Sequence, residues 1–536
     1  MSAPVPALEI EQDSHPRAIR LWNLETRELA ILAGILLATA LIYMPSIRYG
    51  WVWDDTAEIV QKSALQSWAG IAKSFIYDSW WFREPDHLPQ SAYYRPLQLV
   101  WFALNYMILG VHPAAWHFER VVLELIGVIL CFRLAQLLTK NTAVALLAAA
   151  IFGLLPANVE AVVWNSAIPE PLSAILEMGA MCCFIQRKPG WSRGVVFALL
   201  LYAGALLSHE TAVLFWIVVA AYLFLIEGQR PGEAIRKAAP FALLSVAYLF
   251  ARWNALGAEF FGRPDFVRPS VALGWEAPHP PYGRLDLMLT APVALLTYLE
   301  TLVVPGIAGP THDVNWVTGA SEKTFISAGV LVAFALIALA LIWRSRDRNL
   351  YLFCAVWSLM AIAPAMNLKA LAVLVEDRIL YAPSVAWSLA LAVGAVRLAS
   401  GSTRARRQVA GAMALLLAAY AVTAVRIEPY WHDDLTFFRA CVAIAPHKAE
   451  YIRDLVDQLN EKGDPMAAMD QLRDAVNRDP DNSYLRAKLA NQYALMRRGP
   501  DFIAETVKIK ALRSRARSAN AAAGSGGGAN PAPSPR

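Results

Sequence analysis

Two adjacent carboxylates, Asp54 and Asp55, stand in the stretch YGWVWDDTAEIV, directly after the first apolar segment of the chain. A carboxylate held beside a hydroxyl can remove its proton, so the pair is a candidate for general-base chemistry. Neighbouring residues of an extended or turning segment point to opposite sides. We therefore expect one carboxylate to face a site while the other faces solvent or caps a local turn. A solvated loop acid is the alternative interpretation of both.

Further ionisable residues recur near the ends of the other apolar segments. They are Arg95, His112, His117, Glu160, Glu170, His209, Glu210, Arg252 and Arg378. Taken singly, these residues have simple alternative interpretations. The histidines could be structural hydrogen bonders, Glu210 a helix cap, and Arg252 a contact to lipid headgroups. An acid inside a membrane segment, however, costs about 3 kcal/mol on insertion scales, which makes it a functional candidate. Because the set comes from separate loops on one face, it predicts a polar cavity at the outer membrane surface.

The residue types indicate what such a cavity would bind. Carboxylates beside arginines suit an anionic lipid headgroup together with a base. The sequence has no HEXXH motif, no Cys/His cluster with zinc spacing, no Walker A sequence and no GxGxxG followed by a ribose-binding acid, so a nucleotide donor is not indicated. No cofactor is required. A divalent metal ion between Asp54 and Glu160 is left open.

Composition indicates which elements must position these residues. Of 536 residues, 57% are hydrophobic and 17% charged, and the mean hydropathy is +0.39, as is typical of a polytopic membrane protein. A bilayer core of about 30 Å needs about 20 apolar residues per helix. This length predicts eleven spans, at 28–48, 114–138, 142–156, 161–185, 194–208, 211–228, 237–254, 325–343, 351–366, 384–399 and 408–426.

Lysine and arginine placement predicts the orientation of the spans. With an inside N-terminus, the basic clusters between spans all fall inside, which also explains a net charge of +5 without any nucleic-acid partner. The loops 49–113, 255–324 and 367–383 then lie outside. The first of these, with its dense aromatic residues, is expected to lie in the headgroup layer. The apolar segment 288–304 would break this parity, so we interpret it as re-entrant or interfacial.

The chain beyond residue 426 has a different character. Pro446 and Pro480 lie 34 residues apart, the tetratricopeptide period, around the amphipathic stretch LNEKGDPMAAMDQLRDAVNRDP. We therefore divide the chain into a cytoplasmic N-terminal segment (1–27), a transmembrane domain (28–426), a tetratricopeptide-like domain (427–512) and a disordered tail (513–536). The Ala, Gly, Pro and Arg content of the tail indicates a bacterial origin. The outer face is then periplasmic, in the cytoplasmic membrane.

An ordered set of short motifs carries a family resemblance. WVWDD (51–55), YRPL (94–97), HPAAWH (112–117), PANVEAVVW (156–164), SHET (208–211) and EDRILYAPS (376–384) precede the repeats. Over about residues 28–505 the chain resembles the GT-C superfamily of polyprenyl-phosphate-dependent glycosyltransferases. Within it, the chain is most similar to the transmembrane and tetratricopeptide-repeat O-mannosyltransferase-like family. It departs from the family pattern at Arg120 and Glu124, where the family has Asn and His, and at His209, where the family has Lys.

The resemblance implies an all-α, GT-C-like helical bundle with a C-terminal repeat arm. It implies inverting transfer of a sugar, most simply a mannose-like hexose, from a polyprenyl-phosphate donor. The acceptor hydroxyl would belong to a protein Ser or Thr or to a cell-envelope glycan or lipid, and the arm would help to bind it. The implied roles are general base for Asp54 or Asp55; donor-phosphate binding for Arg378 first, then Arg252, Arg95 and His209; and substrate orientation for Glu160, Glu170, Glu210, His112 and His117.

Two other classes of function remain open from the sequence. A lipid-linked-sugar transporter or flippase would also use acids and arginines, although these residues cluster at one face and no inverted repeat is visible. An inactive membrane scaffold would use only the repeats, and the Asp54–Asp55 pair argues against it.

Overall fold

The computed structural model describes residues 24–61, 67–83, 91–257, 260, 284–366 and 374–525. Within these ranges the chain is all-helical and contains no β-strand, which confirms the predicted fold class. Most of the predicted N-terminal segment, residues 1–23, lies outside them. The chain forms two compact units. The first runs to Pro310 and from Val314 to Asp433, and the second contains Thr311–Asp313 and the chain from Asp434 onward.

The first unit is a bundle of fifteen helices among the described residues. They are α1 (Thr26–Tyr43), α2 (Trp68–Lys73), α3 (Pro96–Leu109), α4 (Pro113–Thr139), α5 (Thr142–Leu154), α6 (Val159–Val163), α7 (Pro169–Ile185), α8 (Arg193–Ser208), α9 (Phe215–Ala221), α10 (Pro231–Leu256), α11 (Arg284–Val303), α12 (Glu322–Arg344), α13 (Arg348–Ile362), α14 (Tyr381–Ala399) and α15 (Thr403–Ile427).

Side-chain caps and prolines fix where these helices begin. Asn141, Ser321 and Ser402 each accept a hydrogen bond from the backbone N–H three residues on, at the starts of α5, α12 and α15. Pro96 and Pro113 occupy the first positions of α3 and α4, where a missing N–H costs nothing. Arg95 and His112 therefore lie at the N-terminal ends of α3 and α4.

A bend of 54° separates α5 from α6 at a proline break. Within it the carbonyl of Phe152 accepts from the Asn158 side chain at 3.0 Å and from the N–H of Leu155 at 3.4 Å, in place of the N–H that Pro156 lacks. The bend also points Glu160 of the short helix α6 towards the segment that precedes α14, as its hydrogen bonds to Arg378 show.

The protein is a multi-pass membrane protein, and the span count differs from the prediction. Nine helices of the described chain are long and apolar enough to cross a bilayer, and the bent α5–α6 pair makes a tenth. All eleven predicted spans are helical, but 194–208 and 211–228 correspond to shorter apolar helices, Arg193–Ser208 and Glu210–Ile226. Hydropathy alone located these two segments, but their length falls short of a full bilayer crossing.

Helix α11 contains the segment interpreted as re-entrant or interfacial. Its stretch Leu285–Val303 is long enough to cross a membrane. At one end the Thr324 hydroxyl at the start of α12 donates to the carbonyl of Leu289, and towards the other end the Tyr298 hydroxyl accepts from the N–H of Glu376. The sequence places both of these partner segments on the outer face. These contacts therefore favour the interfacial interpretation, which stays a prediction.

The second unit contains the predicted helical repeats. Its helices are α16 (Asp434–Ile444), α17 (Ala449–Glu461), α18 (Pro465–Arg478), α19 (Ser483–Leu495) and α20 (Gly499–Ser525). Gly463, at a φ of +80°, makes the turn between α17 and α18, and the Asp464 carboxylate accepts from the N–H of Ala467 to cap α18. The apolar faces of α17 and α18 are buried, including Leu455, Leu459 and Leu472. The predicted helical hairpin is present, and its assignment as a tetratricopeptide repeat stays a prediction.

The C-terminal tail departs from its prediction. Disorder was expected from residue 513, but α20 continues to Ser525. The residues from 513 to 525 are rich in Ala and Arg, which have high helix propensity, and the glycines that would oppose a helix come mainly later. Residues 526–536 lie outside the described chain.

Candidate functional site

A cavity of about 480 Å³ opens within the first unit. Its wall includes residues from the outer loop after α1, the start of α3, the segment between α8 and α9, the end of α10 and the segment before α14. Seven predicted site residues line it: Asp54, Arg95, Glu170, His209, Glu210, Arg252 and Arg378. Residues separated by more than 300 positions in the sequence thus meet in one polar cavity, as the sequence predicts.

The Asp54–Asp55 pair divides between the cavity and the interior. Asp54 lines the cavity, whereas Asp55 is 1% exposed and lies beneath it. One Asp55 oxygen accepts from the backbone N–H and the hydroxyl of Ser166, at 2.8 and 2.7 Å, and the other accepts from the N–H of Val52 at 3.2 Å. Asn165 adds a fourth donor at 3.4 Å. Asp55 therefore anchors the loop to the start of α7 and fixes the position of Asp54.

Burial raises the pKa of Asp55 to about 7, although the hydrogen bonds from Ser166, Val52 and Asn165 lower it. The folded protein thus holds the proton to a higher pH than the unfolded chain, whose Asp pKa is about 3.9. The stability contribution of this proton is full below about pH 4 and is lost as the pH rises through about 7. We expect the Tm of the wild type to fall relative to that of Asp55→Asn between pH 5 and pH 8, measured in detergent. A Tm difference that stays constant or widens over this range would contradict the assignment.

A stack of Trp53, Trp164 and Arg378 connects the loop that carries Asp54 to the segment before α14. Trp53 adopts a φ of +52°, a strained conformation for a bulky residue, and its ring stacks on Trp164 at 5.5 Å with an interplanar angle of 7°. The Arg378 guanidinium lies 4.9 Å from the ring centroid of Trp164. The strained backbone at Trp53 is compensated by this packing, which sets the direction of the adjacent Asp54.

Arg378 is enclosed by three carboxylates. Its guanidinium donates to Glu160 at 2.5 Å, to Glu170 at 3.1 Å and to Glu376 at 2.5 Å. Its backbone N–H donates to the second oxygen of Glu160 at 3.2 Å. Three negative partners around one cation outweigh its charge, so Arg378 ties the wall together more than it offers a positive site to an anion.

A second ion-pair group lies on the opposite side of Glu170. Arg95 makes a two-point pair with Glu210, at 2.8 and 2.9 Å. His209 lies between Thr211 and Arg95: its Nδ1 is 2.8 Å from the Thr211 hydroxyl, and its Nε2 is 2.9 Å from Arg95 Nη2 and 3.4 Å from Glu170. Glu170 therefore bridges the Arg378 group and the His209 group, and the two form one continuous network.

Arg252 differs from the other two cavity arginines. Among the described residues it has no ion pair, its guanidinium donates once, to the carbonyl of Ala92 at 2.9 Å, and its Nε is buried without a hydrogen-bond partner. A guanidinium with a buried, unused donor at a cavity wall is suited to an anionic ligand. The geometry thus favours Arg252 over Arg378, the first choice from sequence, as the anion-binding residue.

Besides Asp55, three predicted residues do not line the cavity. Glu160 is buried behind the wall with both oxygens engaged by Arg378. His117 is also buried, with Nε2 3.1 Å from the carbonyl of Gly50, where it supports the loop that carries Asp54. His112 is exposed at the start of α4. In the described part of the chain, no group of three or more His, Cys, Asp or Glu side chains is arranged to hold a metal ion.

The departures from the family pattern on α4 also lie away from the cavity wall. Glu124 accepts from the hydroxyl of Tyr381 at 2.6 Å, and Arg120 donates to the carbonyl of Ala161. Both side chains are buried. Because Tyr381 follows Arg378 by three residues, this contact positions the segment that carries Arg378.

Glu58 and Gln98 also line the cavity, and sequence reasoning did not assign them to it. Glu58 stands four residues after Asp54, a spacing that places both on one face of a helical turn. The turn exists, since residues 54–60 are helical with a π-helix at Thr56–Val60. The four-residue spacing from Asp54 indicates Glu58 only when this stretch is helical. From the sequence we expect the stretch to be extended or turning, and that interpretation hides the spacing.

The fold and cavity define a multi-pass membrane protein with a polar site and a second unit of paired helices. The chain is 23% identical over 559 residues to Protein O-mannosyl-transferase Tmtc3 of Drosophila melanogaster, which covers 91% of the chain and 59% of that relative. It is 22% identical over 497 residues to Protein O-mannosyl-transferase TMTC1 of Homo sapiens, which covers 84% and 55%. The chain thus spans between half and two thirds of the length of these relatives.

These relatives confirm the similarity to the transmembrane and tetratricopeptide-repeat O-mannosyltransferase-like family. The chain matches no protein-family model. Among solved structures, that of ArnT from Cupriavidus metallidurans in the apo state covers 76% of the chain and 77% of its own, with 13% identity and a TM-score of 0.31.

Proposed function

We propose that the chain is a membrane glycosyltransferase that moves a sugar, a mannose-like hexose, from a polyprenyl-phosphate donor to an acceptor hydroxyl. The observation that carries the proposal is the placement of Asp54 in a polar cavity that Arg252 also lines, in a chain similar to proteins named O-mannosyl-transferases. The acceptor is a Ser or Thr of a protein, or a hydroxyl of a cell-envelope glycan or lipid. The site and the repeats face the periplasm of a bacterial cytoplasmic membrane.

Asp54 supplies the base in this mechanism. It takes the proton of the acceptor hydroxyl as that oxygen attacks the anomeric carbon and the bond from this carbon to the phosphate oxygen breaks. The electron pair of the broken bond leaves with the polyprenyl phosphate. A single displacement inverts the anomeric centre and needs no second catalytic carboxylate. The support is positional: Asp54 is the carboxylate of the pair that lines the cavity, and Asp55 holds it there.

Arg252 binds the phosphate of the donor. Charge gathers on the phosphate oxygens as the sugar leaves, and a guanidinium in a partly dry cavity stabilises that charge. Arg95 and Arg378 are already matched by carboxylates, so they set the shape of the wall. The repeats of the second unit provide a surface for an acceptor polypeptide or an assembly partner.

Substitution of Arg252 by Met is expected to lower kcat/KM for the donor by roughly 10- to 100-fold, the worth of a charged hydrogen bond, through a higher KM and a lower kcat. The measurement is donor-dependent transfer by the purified protein. Arg236→Met is the matched control, because Arg236 lies on the same helix and is exposed away from the cavity. Equal donor KM values in the wild type and Arg252→Met would contradict the role of Arg252.

The test of the proposed function supplies purified, reconstituted protein with polyprenyl phosphates that carry mannose, glucose or galactose, and measures release of polyprenyl phosphate in the presence of membrane and protein acceptors. The proposal predicts release that depends on the protein and is greatest with mannose. A flippase would move the donor across the vesicle membrane without breaking its sugar–phosphate bond, and a scaffold would do neither. Release equal to that of protein-free vesicles with every donor would overturn the proposal.

A further inference from the structure

Glu58 and Gln98 form a pair of buried polar side chains at the cavity wall. Glu58 is 5% exposed and Gln98 is 3% exposed, and both line the cavity together with Asp54 and Trp53. Glu58 lies on the short helical turn after Asp54, and Gln98 lies in the first turn of α3, next to Arg95. Two separate elements thus bring an acid and an amide to the same site.

The contact between them fixes the orientation of the amide. Gln98 Nε2 donates to a Glu58 oxygen at 3.3 Å. A carboxylate accepts and cannot donate, so the amide nitrogen must face Glu58 and the amide oxygen must face elsewhere. That oxygen, Gln98 Oε1, is buried and has no hydrogen-bond partner among the described residues. A buried amide oxygen without a hydrogen bond destabilises the folded protein, and a bound ligand that donates to it removes that cost.

We propose that Glu58 and Gln98 bind two neighbouring hydroxyls of the sugar that is transferred, and so determine which sugar is accepted. This inference rests on the proposed function. One hydroxyl donates to Gln98 Oε1 and its neighbour donates to the Glu58 carboxylate. The rings of Trp53 and Trp164, stacked on each other, line the same cavity.

A site that recognises a sugar through its hydroxyls can be detected with donors that lack one hydroxyl. A site built to bond a hydroxyl rejects the analogue that lacks it, because the buried acceptor is then left without a donor. The wild type is therefore expected to use one monodeoxy mannose donor with a kcat/KM roughly 10- to 100-fold below that of the parent, and donors deoxygenated elsewhere with smaller losses.

The test measures kcat/KM for the parent mannose donor and its monodeoxy analogues in the wild type, Gln98→Met and Glu58→Gln, each checked by Tm for folding. In Gln98→Met the parent donor should lose that same factor, and discrimination against the one deoxy donor should disappear. Glu58→Gln should relax discrimination at the neighbouring hydroxyl. Asn105→Leu is the control, since Asn105 lies two turns further along α3, does not line the cavity and should leave the pattern unchanged.

Three outcomes would overturn the inference. If the wild type uses no sugar donor, the proposed function fails with it. If the wild type uses the donor and Gln98→Met keeps the same deoxy preference, only the hydroxyl site fails. If a chelator abolishes turnover and Mg²⁺ restores it with a half-saturation that Gln98→Met shifts, the two oxygens are ligands of a cation.

Discussion

Asp54→Asn is expected to lower the rate constant for sugar transfer by about 10²- to 10⁴-fold, the range that a positioned general base contributes. The amide is nearly isosteric with the carboxylate but cannot take the proton of the acceptor hydroxyl. Because Asp54 lines the cavity and Asn keeps its shape and one acceptor oxygen, the substitution should leave the Tm close to that of the wild type. The measurement pairs single-turnover transfer with a thermal melt of the same preparation.

Asp55→Asn is the matched control, because the two residues are neighbours of the same type. The Asp55 carboxylate accepts hydrogen bonds from Ser166 and Val52 inside the protein. In Asp55→Asn the side-chain NH₂ group would face the backbone N–H of one of these residues, and neither group could accept. We expect a clear fall in Tm, with loss of activity that follows from the displaced loop. Retention of transfer by Asp54→Asn, or an unchanged Tm for Asp55→Asn, would reverse the two roles.

Arg378→Met is expected to destabilise the first unit more than any surface substitution, by about 3–5 kcal/mol, the cost of breaking a buried charge group by removal of one partner. Three carboxylates, Glu160, Glu170 and Glu376, would lose their shared cation. The measurement is the Tm in detergent, with denaturant unfolding for the free energy.

Two companion variants test that explanation. Glu233→Gln removes an exposed ion pair with Lys237, in which both side chains are 42% exposed, and should leave the Tm unchanged. The double variant Arg378→Met with Glu160→Gln should recover part of the lost stability, because it removes one of the unpaired charges. Additive losses in the double variant would show that Arg378 acts through packing on Trp164 instead of through charge.

Hydropathy and periodicity predicted the elements of the fold because each signal is local. The spans follow from runs of apolar residues, and the α17–α18 hairpin follows from a 34-residue spacing and the turn at Gly463. The polar face was also predictable, since Arg95, His209 and Arg378 stand next to helix ends. What these residues bond to was not, because Arg378 meets Glu160 across 218 positions of sequence.

The finer features of the site depend on tertiary contacts that composition does not record. Both aspartates have the same local sequence signal, and only the contact with Ser166, 111 residues away, separates the anchor from the cavity residue. Arg252 and Arg378 both end or begin an apolar segment, and only the surrounding carboxylates distinguish them. Glu58 could have been found from its helical spacing to Asp54, whereas nothing in the sequence pairs it with Gln98.

The most direct test of the central claim follows a radiolabelled mannose from polyprenyl phosphate through protein reconstituted in vesicles, with the wild type and Asp54→Asn side by side. Both proteins must melt at the same temperature, so that the comparison concerns chemistry alone. The account predicts that the wild type moves the label to a protein, glycan or lipid acceptor with inverted anomeric configuration, and that Asp54→Asn moves almost none. No transfer by either protein, or equal transfer by both, would contradict the assignment of this cavity as a glycosyl-transfer site with Asp54 as its base.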